Sequence, residues 1–277
     1  MNNPDLQQEN IYQPSVKSSV FVGRDEYLQK FEHDFLFHPG SFILNIHTNG
    51  DGGVGKTQLL LQMLKLCRTQ YSKAVITGEG LIDFYHTESR SIEGIISQLI
   101  NAFDAVHFPK TDALLGKYHR TEDTSEPQYL LQRVLKALQE EYRKFADKIK
   151  QDKKIIVLFF DTYEVIQRAD KEKKEAEPTE FSSWLEKELF PTLRWDNTRL
   201  VIAGRYPLVH APEKYVVQKP LSLFEYDEAV HFLIECLNVA EFSQAEYQRF
   251  LGNHPQAKSF LEPFLYSLPN GRVGIWV

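Results

Sequence analysis

A segment of eight residues has the composition and spacing of a loop that cradles phosphate. It reads Gly50-Asp51-Gly52-Gly53-Val54-Gly55-Lys56-Thr57 and matches the Walker A pattern G-x-x-x-x-G-K-[ST] at every required position. Glycines allow left-handed backbone and close approach, so that several N–H groups can converge on a phosphate. Lys56 would reach the β- and γ-phosphates, and the Thr57 hydroxyl would bind Mg2+. We therefore expect a nucleoside triphosphate here, held by all eight residues and by Gln58, which follows them.

The flanking residues predict the two elements that must position this loop. Residues 41–47 form a short apolar run typical of a buried strand, and residues 58–66 have helical composition without Gly or Pro. A strand, a glycine loop and a helix in this order is the context that the motif requires. In the empty loop we expect the Lys56 ammonium group to be solvated.

An acid that ends a later strand completes the predicted metal site. Asp161 follows a continuous apolar run that is typical of a parallel strand covered on both faces. Ligands of open α/β sheets bind at the carboxyl ends of the strands. We therefore expect Asp161 to hold Mg2+ together with Thr57. The alternative is that Asp161 caps the next helix.

Two further charged residues are candidates for catalysis beside Lys56. Glu164 could orient the attacking water and accept its proton, because Thr162 rather than an acid follows Asp161. Its alternative is an ordinary first-turn residue of an exposed helix. Arg205 ends another buried strand and could contact the γ-phosphate. The alternative for Arg205 is a surface position at the strand end.

Composition restricts the classes of function. The chain has 277 residues, of which 42% are hydrophobic, so it can bury a large core. A net charge of −6 argues against a general polyanion-binding surface, and we find no nucleic-acid signature. The two cysteines, Cys67 and Cys236, have no metal-ligand or redox spacing. No apolar run is long enough to span a membrane and the N-terminus lacks a signal core, so we expect a cytoplasmic protein.

Strands that alternate with helices predict an α/β fold, a P-loop NTPase with a parallel β-sheet flanked by helices and followed by a small helical domain. The expected organisation is a disordered arm over 1–18, a nucleotide-binding domain over 19–220, and a helical domain over 221–277 that is incomplete. From Glu225 onward the pattern is helical to about Tyr266, with Pro255 and Pro263 as breaks. Residues 107–127 are polar and are expected to be irregular.

Several motifs occur together in an order that is typical of one family. They are Phe21-Val22-Gly23-Arg24, the loop 50–57, Phe159-Phe160-Asp161-Thr162-Tyr163-Glu164 and Leu200-Val201-Ile202-Ala203-Gly204-Arg205. In these motifs the chain resembles the STAND class of P-loop NTPases, the AAA+-like relatives of apoptotic and plant-resistance ATPases. Residues 81–94 and 221–229 also resemble segments of that class, so that the resemblance spans roughly residues 20–265.

The resemblance implies further roles. Gly23 and Arg24 would lie near the adenine, with a structural ion pair as the alternative for Arg24, and Arg205 would act as the sensor. Members of the class use ATP and ADP as a switch, in which ADP holds a closed monomer and ATP favours an oligomer. They carry sensor and effector domains that are not visible in this sequence, and bacterial members often serve signalling or antiviral defence. The Gly-x-Pro segment of their helical domain is missing near residue 271, where Gly-Arg-Val-Gly stands.

Three hypotheses for function follow. The first is a STAND-type module that binds ATP, hydrolyses it slowly and controls oligomerisation through ADP/ATP exchange. The second is a motor-type AAA+ ATPase with steady turnover. The third is a nucleotide-gated scaffold that does not hydrolyse ATP, in which Glu164 is only a surface residue.

Overall fold

Short runs of branched and aromatic residues form a sheet whose strands are all parallel. The strands are β1 (Ile43–His47), β2 (Val75–Thr77), β3 (Ile82–Asp83), β4 (Ile155–Asp161), β5 (Thr198–Ala203) and β6 (Val216–Pro220). Their order is β2-β4-β5-β1-β6, and β3 pairs with β4 beyond the end of β2. The strands β1 and β5 are buried along their whole length, as expected of strands covered by helices on both faces. The predicted α/β fold with a parallel sheet is confirmed.

This computed structural model describes residues 21, 23–50, 53–119, 127–172 and 181–223, and the backbone of two strands at 265–267 and 273–275. The chain divides into two compact units, of which one is Arg24–Leu223 and the other combines Met1–Gly23 with Phe224–Val277. The sheet belongs to the first unit. The predicted arm over residues 1–18 lies outside the described residues.

Helices follow most strands. They are α1 (Asp25–Lys30, continued by a π-helical turn at Phe31–Leu36), α2 (Lys56–Thr69), α3 (Ile92–Ala102), α4 (Pro109–Tyr118), α5 (Pro127–Gln151), α6 (Glu164–Glu172), α7 (Phe181–Trp184) and α8 (Phe190–Thr192). A π-helical turn at Leu185–Leu189 joins α7 to α8. Short 3-10 turns lie at Thr87–Arg90, Ala105–His107 and Glu213–Tyr215.

The prediction that residues 107–127 are irregular is wrong for the described part, because Pro109–Tyr118 forms α4. Its N-terminus is capped from a distance: the Glu141 carboxylate accepts the N–H groups of Lys110 and Thr111, each at 2.9 Å. This cap replaces the side-chain cap that sequence analysis looks for next to a helix start. Leu114 and Leu115 supply the buried face.

The two faces of the sheet have different partners, and adjacent phenylalanines of β4 show which is which. The Phe159 ring lies 6.3 Å from the ring of Phe31, in the turn that follows α1. The Phe160 ring packs in the opposite direction, 6.2 Å from Phe84 and 5.4 Å from Phe190. The Phe84 and Phe190 side chains belong to a core that also includes residues of α3 and α5. Alternation along the strand therefore assigns each β4 side chain to one face.

The second unit is described only at β7 (Leu265–Ser267) and β8 (Val273–Ile275), which pair antiparallel. Here the helical pattern that was predicted to continue to about Tyr266 is wrong. Pro263 is a predicted break of the helical pattern, but Leu265–Ser267 form a strand, because Tyr266 is a residue that strands favour and the chain pairs with β8. The rest of the predicted helical domain over 221–277 lies outside the described residues, apart from its first three.

The start of α3 is packed too tightly for any side chain at Gly94. Ser91 caps this helix by accepting the N–H of Gly94 at 3.0 Å, as its position before the helix predicts. A Cβ at Gly94 would lie 1.7 Å from the carbonyl oxygen of Glu88. We expect Gly94→Ala to destabilise the protein by at least about 3 kcal/mol, because backbone rather than a movable side chain must give way. Chemical denaturation of both proteins measures this difference.

Gly80→Ala is the matched control for this prediction. A Cβ at Gly80 would meet nothing within 4 Å, and its backbone is not in the left-handed region. Its unfolding free energy should stay within about 0.5 kcal/mol of the unmutated protein. Equal effects of the two substitutions would contradict the packing that we describe around Gly94.

Candidate functional site

The glycine loop lies between the end of β1 and the start of α2, as the motif requires. Gly53 and Gly55 adopt left-handed backbone with φ of 73° and 88°, a conformation that glycine adopts without strain. Gly55 is the N-cap of α2, and its carbonyl accepts the N–H of Leu59 at 2.9 Å. Thr57 and Gln58 are exposed in the first turn of this helix. Asp51 and Gly52 lie outside the described residues.

Lys56 and Val54 differ from the exposed glycines of the loop. Lys56 is only 8% exposed and Val54 only 6%. The expectation that Lys56 is solvated in the empty loop is therefore wrong. Lys56 is the first residue of α2, which lies over the buried sheet. The four-carbon stem of the side chain is therefore covered, as is common for long cationic side chains.

His47, which sequence analysis did not single out, supports the base of the loop. It is the last residue of β1, is 7% exposed and hydrogen-bonds the side chain of Asn49. Burial lowers the pKa of His47, so that the ring is neutral near pH 7. Asn49 adopts left-handed backbone with φ of 55°. The buried ring therefore helps to fix the turn by which the chain leaves β1.

Thr57 and Asp161 meet at the carboxyl end of β4. Asp161 is 2% exposed, and its carboxylate accepts hydrogen bonds from the Thr57 hydroxyl and from the N–H of Thr162. Burial raises the pKa of Asp161 most strongly, the two hydrogen bonds oppose that shift, and the charges of Asp83 and Glu164 add to it. Thr162 has left-handed backbone with φ of 59°, which for a β-branched residue costs about 1–3 kcal/mol.

Glu164 and Arg205 form an ion pair beside this site. The Nε of Arg205 donates to Oε1 of Glu164 at 3.1 Å, between side chains that are 32% and 9% exposed. Oε2 of Glu164 is buried and has no hydrogen-bond partner among the described residues. The backbone of Arg205 is also engaged, because its carbonyl accepts the N–H of Gly50 at 2.8 Å. This contact ties the first residue of the phosphate loop to the end of β5.

A buried carboxylate that sequence analysis missed connects the segments that carry Glu164 and Arg205. Glu186 is fully buried and accepts from the Tyr163 hydroxyl at 3.0 Å. It also accepts the N–H groups of His210 and Ala211, at 2.6 and 2.8 Å. Burial, followed by the charge of Glu186, raises the pKa of Tyr163 well above its ordinary value. The only sequence signal was an acid within an amphipathic helix, which normally indicates a solvated face.

Arg24 is held within its own unit. Its Nη2 donates to the carbonyl of Ser222 at 2.8 Å, and the guanidinium lies 5.6 Å from the centre of the Tyr27 ring. The residue is 4% exposed. Gly23 has left-handed backbone with φ of 70° and belongs to the other unit. The proximity of Gly23 and Arg24 to an adenine stays a prediction.

The donor atoms at the end of β4 fit magnesium. A hydroxyl and a carboxylate are hard oxygen ligands, and Mg2+ in nucleotide sites is held by one or two carboxylates, by phosphate oxygens and by water. The described residues contain no group of three or more His, Cys, Asp and Glu side chains that could hold a metal ion. Thr57 and Asp161 would therefore bind Mg2+ only together with the phosphates.

Comparisons with known proteins find only distant likeness. No family model matches the chain, and a search of the curated proteins finds no match. Among solved structures, the chain is similar to the ORC2 protein of Aeropyrum pernix, solved as ADPNP–ADP complexes, with 11% identity and a TM-score of 0.48. That likeness covers 84% of this chain and 55% of the ORC2 chain, so this chain spans about half of that protein.

A second solved structure is the HORMA:CdnC:Trip13 complex of E. coli MS115-1. The identity is 12% and the TM-score 0.41, over 82% of this chain and 73% of the matched chain. The likeness is loose at these values, and function must come from the residues of the site. No helix in the described part of the chain combines the length and apolarity that crossing a bilayer requires.

The hydrogen bonds to Glu186 predict that replacing this residue strongly lowers the free energy of unfolding. Glu186→Ala leaves two partly buried backbone N–H groups without their acceptor, whereas the Tyr163 hydroxyl keeps only the Ser182 carbonyl at 3.3 Å. Each unsatisfied donor costs about 1–3 kcal/mol, so we expect a total loss of about 2 kcal/mol or more in urea unfolding. Tyr163→Phe removes one donor only and should cost about 1 kcal/mol. A Tyr163→Phe effect as large as that of Glu186→Ala would show that Glu186 does not organise both segments.

Proposed function

We propose that this chain is the nucleotide-binding module of a STAND-type signalling or defence NTPase. It binds ATP with Mg2+, hydrolyses it slowly, and uses ADP/ATP exchange to control self-association. The observation that carries the proposal is the hydrogen bond between Thr57 and Asp161. It joins the phosphate loop to the acid at the end of a distant strand, which is the pairing that a metal–nucleotide site needs. The motifs shared with the STAND class support the assignment to that class.

Each residue of the loop has a distinct role in this proposal. The backbone N–H groups of residues 53–57 and the N-terminal end of α2 attract the β-phosphate, and Lys56 neutralises the β- and γ-oxygens. Thr57 and Asp161 hold Mg2+. The metal, when bound, neutralises charge that develops on the phosphates. Asp161 is buried, and the hydrogen bonds that it accepts from Thr57 and Thr162 favour the charged form that binds a metal.

The ion pair between Glu164 and Arg205 supports a switch rather than a motor. A γ-phosphate would compete with the Glu164 carboxylate for the Arg205 guanidinium, since both are anions at the same edge of the sheet. Glu164 would then be released to orient the attacking water. Without a γ-phosphate the pair re-forms. ATP and ADP would thus differ in which anion the guanidinium binds, and slow turnover follows because the base is engaged for part of the time.

The same ion pair also favours a second candidate, the scaffold that binds nucleotide without hydrolysing it. If Arg205 holds Glu164 throughout, the carboxylate never reaches a water molecule. The module would then respond only to nucleotide exchange. Hydrolysis measured on preloaded protein separates the two candidates.

Substitution of Lys56 tests the nucleotide site itself. Lys56→Met removes the charge but keeps an apolar stem in the buried position, so that folding should be preserved. A charged hydrogen bond contributes about 1.5–3 kcal/mol, and we expect ATP affinity in calorimetry to fall about 10- to 100-fold. Lys65→Met, at an exposed position of the same helix, is the control and should bind ATP normally. Unchanged affinity of Lys56→Met would refute the phosphate-loop assignment.

Glu164→Gln tests hydrolysis. Glutamine keeps the size of the side chain and an acceptor for Arg205 but cannot take a proton. We expect ATP binding within a factor of about 2 of the unmutated protein and single-turnover hydrolysis that is about 100- to 10,000-fold slower. Glu213→Gln, on an exposed turn, is the control. Equal hydrolysis rates would mean that Glu164 is not the base, and no hydrolysis by either protein would favour the scaffold.

A further inference from the structure

Asp83 is an acid at the nucleotide-facing edge that the proposed function does not use. It ends β3, which pairs parallel with β4 so that Ile82 faces Phe160 and Asp83 faces Asp161 in register. The N–H of Phe84 donates to the carbonyl of Asp161 at 3.1 Å and fixes this register at the strand end. Neighbouring strands lie about 4.8 Å apart, so the backbones that carry the two acids are adjacent.

Both acids lie on the face of the sheet that α2 covers. Ile82 and Phe84, on either side of Asp83, belong to the core on the opposite face together with Phe160. Side chains alternate along a strand, so Asp83 lies on the other face. Asp161 lies on that same face, because it follows Phe160 and hydrogen-bonds Thr57 in the first turn of α2. The sheet therefore places Asp83 beside the pair formed by Thr57 and Asp161.

No described cationic side chain pairs with Asp83 or Asp161. Among the described residues neither Asp83 nor Asp161 forms a salt bridge. Oδ1 of Asp83 accepts the N–H of Tyr85 at 2.8 Å, which holds the carboxylate at the strand end. Two carboxylates that adjacent strands carry in register favour the binding of a cation.

A second observation concerns a buried carboxylate oxygen at the same edge of the sheet. Oε2 of Glu164, on a residue that is only 7% exposed, has no hydrogen-bond partner among the described residues. Glu164 pairs with Arg205 after the end of β5, which lies on the opposite side of β4 from β3. Asp161 thus lies between one acid that is paired with Arg205 and one that has no cationic partner in the described chain.

The order of the strands separates a metal side from a phosphate side. Along the edge, β3 is followed by β4, then by β5 with Arg205 at its end, and then by β1 with the phosphate loop. Asp83 lies beyond Asp161 when viewed from Lys56 and Arg205, which would contact the phosphates. A role as the base that activates water at the γ-phosphate is therefore less suited to Asp83 than a role toward the metal.

We infer that Asp83 is the second carboxylate of the Mg2+ site and acts on the metal through water rather than by direct ligation. This inference rests on the proposed function. It fits the absence, in the described part of the chain, of a three-residue cluster that could ligate a metal directly. It also fits the hydration that Mg2+ retains in nucleotide sites. The charge of Asp83 would tighten metal binding without contributing to nucleotide binding in the absence of metal.

Asp83→Asn tests this inference through the coupling between Mg2+ and ADP, without any measurement of turnover. Asparagine keeps the oxygen that accepts the N–H of Tyr85, so that the turn is preserved. The readout is the factor by which saturating Mg2+ tightens ADP binding relative to ADP in EDTA. We expect this factor to fall about tenfold in Asp83→Asn, as for other outer partners of a metal site, with ADP affinity in EDTA unchanged.

Two controls separate the possible outcomes. The first control is Asp104→Asn. Asp104 has the same local geometry as Asp83, since its Oδ1 accepts the N–H of Val106 at 3.1 Å. It follows the C-terminal end of α3, so the substitution should leave the coupling between Mg2+ and ADP unchanged. Asp161→Asn should reduce the coupling more than Asp83→Asn does. If Asp161→Asn lowers the coupling and Asp83→Asn does not, only the inference about Asp83 is overturned. If the unmutated protein binds no ADP, or binds it without regard to Mg2+, the proposed function is overturned as well.

The denaturant concentration at the midpoint of unfolding tests whether Asp83 has a structural role instead. Asp83→Asn should unfold at the same denaturant concentration as the unmutated protein. A lowered midpoint together with weaker ADP binding in EDTA would assign Asp83 a structural role in the turn and overturn the inference.

Discussion

The burial of the Asp161 carboxylate is the constraint on which the rest of the site depends. A charged group that is 2% exposed is stable only where donors or cations surround it. Here the Thr57 hydroxyl and the N–H of Thr162 are those donors, and the second requires the backbone of Thr162 to adopt a left-handed conformation. One buried acid therefore links α2, the strained turn after β4 and the phosphate loop.

The neighbouring acids are stabilised in different ways, and the difference suggests a division of labour. Glu164 has a cationic partner in Arg205, whereas Asp83 and Asp161 have none among the described residues. Glu186 also has no cationic partner in the described part of the chain, but it accepts three hydrogen bonds and is fully buried, which is typical of a structural carboxylate. Glu164 is thus suited to an exchange of partners, and Asp83 and Asp161 are suited to a metal. Glu186 holds the surrounding segments together.

Sequence reasoning identified those parts of the fold that are encoded locally. The phosphate loop is encoded by glycine spacing, and β4 by a run of apolar residues that ends at Asp161. The sequence did not reveal α4, because its cap is Glu141, a residue 30 positions away in the chain. It did not reveal Asp83 either, because β3 has only two residues and its register with β4 is a property of the sheet. Lys56 was expected in solvent because its burial depends on how α2 packs.

Arg205 forms one contact through its backbone and another through its side chain, and this arrangement affects how fast the site can respond to nucleotide. Its carbonyl is bound to the N–H of Gly50, whereas its guanidinium is partly exposed and bound only at its Nε to Glu164 among the contacts described here. A change of partner would then require rotation of one side chain about a fixed backbone. Exposed side chains change rotamer within picoseconds to nanoseconds, roughly a million times faster than domain motions. The rate of the response must therefore be set by hydrolysis of ATP or by release of the nucleotide. The ion pair would adjust to those events almost at equilibrium.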